Sequence, residues 1–155
     1  MFYERVAMTL PTLRDKKGFT IIEVVLVLAI AGLIFLVVFL ALPALQRNQR
    51  DTQRRNDVGR AVTAVTNYSA NNNGQIPTNQ GELDTVGSDY LNVADDDFAD
   101  PSEGDYDINY TADAPDLGEM NYISGATCEA GGAGSRTFKV TTDLEGGGTY
   151  CQDNR

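Results

Sequence analysis

The chain has 155 residues, room for one modest domain and no second, and its 22 Asp and Glu against 12 Lys and Arg give a net charge of −10. It contains no histidine, which removes imidazole-based acid–base catalysis and every zinc set that needs a His ligand. The charge is uneven: from residue 61 onward 17 acidic residues stand against three basic ones, a local balance of −14 that repels nucleic acid.

Residues 1–18 form a mixed leader carrying Arg5, Arg14, Lys16 and Lys17, and it stops abruptly at an apolar run. Residues 24–45 hold no charge; as a helix they extend about 33 Å, enough to cross a bilayer core of roughly 30 Å. A secretory signal has an apolar stretch of only about 7–15 residues followed by a small-x-small cleavage site. Ala41 and Ala44 imitate that site loosely, but the length of the run favours an anchor that is uncleaved or cleaved elsewhere. Glu23 lies at the mouth of this run, in KKGFTIIEVVLVLAI. A carboxylate there costs a few kcal/mol unless it has a partner or a task.

Helix is predicted to continue beyond the span, because residues 46–70 are rich in Gln, Arg, Ala and Val with Gly59 as the sole breaker. Val58, Ala61, Val62, Val65 and Tyr68 fall on one face at helical period and should pack on a soluble head. The run Asn71-Asn72-Asn73-Gly74, with Pro77 after it, suits a left-handed helix stop. Pro43 removes a backbone hydrogen bond and predicts a kink near residues 40–43; Gly32 is a second weak point. Arg47, Arg50, Arg54, Arg55 and Arg60 against Asp51 and Asp57 make a basic collar past the span. It reads either as a solvated or lipid-facing helix surface or as a set of specific pairs.

Residues 75–103 read as loop, with Gly81, Gly87, Pro101 and the cluster Asp95-Asp96-Asp97. Short alternating runs follow, DYDINYT, EMNYISGA, SRTFKVTTDLE and GGTYCQ, separated by Gly and Asp/Pro clusters. They predict the strands of a small antiparallel sheet. Cys128 and Cys151 match no metal or thiol-catalytic spacing. A disulfide in an oxidising compartment is their simplest use, and two separate buried thiols the other.

The string Lys17-Gly18-Phe19-Thr20-Ile21-Ile22-Glu23, followed by the long apolar helix, resembles the prepilin signature of type IV pilins. The resemblance implies an α+β type IV pilin fold: a long N-terminal transmembrane and amphipathic helix packed on a small antiparallel head. It divides the chain into a cleaved leader (1–18), a membrane and filament-core helix (19–45), an amphipathic helix (46–73) and a globular head (74–155). It implies cleavage between Gly18 and Phe19 by a membrane-embedded aspartyl prepilin peptidase, methylation of the Phe19 amine, and polymerisation around bundled helices. Glu23 would then neutralise the Phe19 amine of a neighbouring subunit and set its axial register, since one buried pair costs less than two buried charges. Gly32 fits the flexible glycine many pilins carry, and Pro43 lies about a turn beyond their usual proline. Cys128 and Cys151 would staple the C-terminal segment onto the sheet, worth about 3 kcal/mol in the chain-entropy model.

The function so implied is a structural subunit, the major one, of an extracellular type IV pilus serving adhesion, twitching motility or DNA uptake. Its partners would be other copies of itself, the peptidase, the assembly platform and motor, and the membrane before assembly. Four basic residues precede the span and five follow it, so charge counting alone does not orient it; the family places the prepilin in the inner membrane with its N-terminus cytoplasmic. A minor pilin or pseudopilin of a secretion or competence machine is one alternative, and a non-polymerising, membrane-anchored binding module another. No nucleotide loop, GxSxG or metal-ligand spacing argues for an enzyme, and no cofactor is expected. The acidic loop, residues 95–107, reads by default as a solvated surface, with calcium among its carboxylates as the alternative; its EF-hand-like start at Asp105 has Tyr110 where glycine is required and Asp116 in place of the final Glu.

Overall fold

The computed structural model describes residues 18–91, 98–102, 104–129 and 134–155. The first helix, α1, runs Ile21–Asn71 with helical backbone through both Gly32 and Pro43. It ends as its sequence demands: Asn73 and Gly74 take the left-handed conformation at φ 56° and 80°. The Gly74 N–H reaches back to Ser69 O at 2.8 Å and Asn72 N–H to Tyr68 O at 2.9 Å. Asn and Gly tolerate that backbone at least cost, so carbonyls of the last turn gain donors just where the asparagine run begins.

The chain divides into two units, Met1–Leu40 and Ala41–Arg155. Within the first, the described residues from Ile21 onward are one helix whose Ile, Val, Leu and Phe side chains are exposed on every side. A helix apolar all round needs an apolar surrounding, and by length and composition this one can cross a membrane.

In the second unit the predicted stripe does bury: Val58, Ala61, Val62, Ala64 and Val65 enter a core with Phe98, Tyr106, Met120, Tyr122, Phe138 and Val140, and Tyr68 packs against it. The stretch 75–103 contains more structure than a loop. A short helix α2, Gln80–Val86, leads into a π-helical turn, Gly87–Leu91. Asn79 caps α2 by accepting from the Glu82 N–H at 3.0 Å, while the Glu82 carboxylate accepts from the Thr78 N–H at 2.7 Å. Leu83, Val86 and Leu91 then point into the core. Gly81 and Gly87 concealed this helix in the sequence, and burial of three apolar residues outweighs their weak propensity.

Two residues each in β1, Ala99–Asp100, and β2, Gly104–Asp105, form a small antiparallel hairpin that the alternation did not reveal. The main sheet has four strands in the order β3-β4-β5-β6: Asp107–Tyr110, Glu119–Ser124, Phe138–Asp143 and Thr149–Asp153. All four predicted runs form strands, but the sheet is mixed. β3 pairs parallel with β4, Asp107 opposite Glu119 and Tyr110 opposite Tyr122, whereas β4-β5 and β5-β6 are antiparallel. Parallel pairing needs a crossover, which residues 111–118 supply; Asn121 donates to the Asp113 carbonyl of that crossover at 3.2 Å. Met120 and Tyr122 on β4, with Phe138 and Val140 on β5, occupy alternate positions facing the core.

Candidate functional site

Gly18, Phe19 and Thr20 are not helical, and α1 starts directly after them. The Thr20 carbonyl accepts from Glu23 N–H at 3.1 Å and Val24 N–H at 3.3 Å, and the Thr20 hydroxyl oxygen accepts from Glu23 N–H at 3.3 Å. In return, Glu23 Oε2 accepts from the Thr20 N–H at 3.0 Å and from its hydroxyl at 2.9 Å. This is a reciprocal capping box that fixes the first turn and leaves the Gly18–Phe19 bond in non-helical chain with Phe19 exposed. The sequence pattern Thr-x-x-Glu ahead of an apolar run carries this signal, and a reading of Glu23 as an isolated carboxylate overlooks it. Gly32 has open space around the position of a Cβ.

At the start of the second unit the basic collar resolves into specific pairs. The side chain of Arg54 is fully buried: its Nε and Nη2 reach Asp100 at 2.5 and 2.9 Å, Nη2 reaches Ser102 Oγ at 2.6 Å and Glu145 at 3.1 Å, and Nη1 reaches Asp51 at 3.1 Å. Arg50 holds Glu145 with two bonds of 2.6 and 2.5 Å. Asp51 accepts the backbone N–H groups of Glu145 and Gly146, both at 2.9 Å. One turn of α1 is thereby tied to the β5-β6 turn and to the turn after β1. Hydrogen bonds from Arg50, then Arg54, hold the Glu145 carboxyl down to about 2, against opposing desolvation. Bonding to Asp100 raises Arg54 above its already high value.

A second polar contact lies deeper. Tyr106 donates to Asp57 at 3.1 Å, and Arg60 pairs with the other Asp57 oxygen at 3.2 Å while its guanidinium lies 5.1 Å from the Phe98 ring centroid. Burial pushes Asp57 up, with Tyr106 and Arg60 opposing. The long-range partners are not legible in the sequence, because Arg54 lies 46 positions from Asp100 and 91 from Glu145, whereas Asp51–Arg54 and Asp57–Arg60 stand at i,i+3 helical spacing. Cys128 and Cys151 form a disulfide with Cα atoms 5.8 Å apart, and Asp153 accepts from the Cys128 N–H at 2.9 Å.

Among the described residues no three Asp, Glu, Cys or His gather to hold a metal ion. Asp107 and Asn109 of the EF-hand-like stretch belong to strand β3. The cluster 95–97 lies outside the described residues, as does the leader before Gly18.

The prokaryotic N-terminal methylation motif matches residues 13–39. This is the class III signal peptide of type IV pilins, here followed by their long apolar helix and an α+β head. The matched stretch is the motif carried by type IV pilins and pseudopilin-like proteins, and with the apolar helix it fits a membrane-anchored prepilin. No curated protein and no solved structure matches it.

Proposed function

We propose that the chain is a prepilin whose mature form begins at Phe19 and polymerises, as the major subunit, into an extracellular type IV pilus. The observation that carries this reading is the methylation motif over residues 13–39 set on a capped helix whose first turn leaves Gly18–Phe19 non-helical. A peptidase binds extended chain, so a helix that begins at Ile21 leaves the bond accessible. Cleavage frees a cationic amine at Phe19, which is then methylated. Glu23 Oε2 is engaged by Thr20, and the remaining oxygen is the acceptor for the Phe19 amine of an incoming subunit. Prepilin peptidase, an assembly platform and its motor are the partners this requires. The chain resides in the cytoplasmic membrane with its N-terminus inside, and the disulfide-bonded unit lies outside.

Intact-mass and N-terminal peptide analysis of shear-released surface material and of membranes tests the reading. Phe19 as the first, methylated residue of an abundant sheared protein supports it. An intact leader found only in membranes overturns it in favour of an anchored binding module, and a processed but scarce species assigns a minor subunit. Glu23→Ala should insert in the membrane and yield no filaments. Glu23→Gln separates the two roles of this side chain, since the amide can cap but carries no charge. Filaments from Glu23→Gln would reject charge pairing and leave Glu23 as a cap.

A further inference from the structure

The five collar arginines are equivalent in sequence but not in the structure. Arg50 and Arg54 are consumed by Glu145, Asp51 and Asp100, and Arg60 by Asp57. Arg55 lies with its guanidinium 5.5 Å from the Tyr150 ring centroid. Arg47 is exposed and makes no ion pair among the described residues. Its natural neighbour on the helix is Asp51, one turn on, yet both Asp51 oxygens already accept backbone N–H groups of the β5-β6 turn, and one also accepts from Arg54. Asp51 is thus turned to the β5-β6 turn and to Arg54, and makes no ion pair with Arg47 among the described residues. Arg47 stands two residues after Leu45, where the uncharged run ends. In a helix spanning the bilayer that is headgroup level, where phosphate is the abundant anion.

We propose that Arg47 is a binding point for an anionic phospholipid headgroup at the outer end of the span, holding the unassembled subunit at a set depth. The proposal rests on the membrane-resident reading above and goes beyond it by naming the residue and the lipid chemistry. The occupant is a lipid because a second copy's head brings carboxylates to this level only after assembly, whereas headgroups surround it from insertion onward.

The test is native mass spectrometry of the full chain in detergent with phosphatidylglycerol or phosphatidylcholine added in turn. The wild type should retain phosphatidylglycerol roughly five-fold over phosphatidylcholine, the effect of about one cation at an anionic surface. Arg47→Gln should retain the two equally, and Lys139→Gln, an equal loss of charge elsewhere, should keep the preference. A wild type without preference, or an Arg47→Gln variant that keeps it, overturns the proposal. So does an Arg47→Gln variant that keeps the preference and loses only self-association, which assigns Arg47 to a neighbouring subunit. Carbonate extraction of the wild type from membranes reads the span itself: release would overturn the membrane reading and the lipid site together, whereas resistance with no lipid preference removes the site alone.

Discussion

Arg54 shows how a single residue governs this head. A buried guanidinium is tolerable only when its donors are met, and Asp51, Asp100, Ser102 and Glu145 meet them. Arg54→Ala removes the cation that Asp51, Asp100 and Glu145 share and leaves Glu145 with Arg50 alone, and should cost about 3–5 kcal/mol of head stability. Urea unfolding of the detergent-solubilised chain, followed by tyrosine fluorescence, measures it. Arg54→Lys should recover little, because an ammonium cannot span the forked contacts with Asp100. The same cluster sets the acid response. Glu145 has a folded value near 2 against an ordinary 4.5, so its contribution is complete above about 4.5 and is lost as pH falls toward 2. Asp57, raised by burial, works in the opposite sense and relieves a cost as it protonates. The unfolding midpoint should fall across that acid window, and Glu145→Gln should flatten the fall.

At the scale of elements, two turns and one sheet edge depend on side chains borrowed from elsewhere. A Cβ on Gly146 would stand 3.0 Å from Asp51 Oδ2, so Gly146→Ala crowds the carboxylate that holds the β5-β6 turn and forces one of them to shift. The expected loss is about 1–3 kcal/mol by the same unfolding measurement, the range for overpacking. The outer edge of β3 is closed by Gln80, whose side-chain amide accepts from Tyr110 N–H at 2.7 Å and donates to Ile108 O at 2.8 Å, as a neighbouring strand would. Gln80→Ala should expose that edge, cost about 1–2 kcal/mol and accelerate hydrogen exchange at the Tyr110 amide. Retained protection of that amide would mean that β3 is held by β4 alone.

For the whole molecule, the disulfide closes a loop across a sequence separation of 23 and holds edge strand β6. Replacing both cysteines with serine should lower head stability by about 3 kcal/mol while leaving the apolar helix able to insert, because residues 21–45 share no part of that loop. Unfolding in urea and carbonate extraction, run on the same preparation, separate the two effects.

The sequence by itself determined features that depend on neighbours along the chain: the apolar span, the stripe from Val58 to Tyr68, the Asn-Gly helix stop and the four alternating strands. Each is a local rule of period or backbone conformation, and local rules are written in consecutive residues. What only the tertiary structure decided is which distant residues meet: Arg54 with Asp100 and Glu145, Asp51 with the β5-β6 turn, Gln80 with β3, and the parallel placement of β3 beside β4. Ion pairs and strand order have no period and tolerate any separation in sequence. The collar's sequence left surface and specific pairing both open, and among the described residues the folded chain gives carboxylates to Arg50, Arg54 and Arg60.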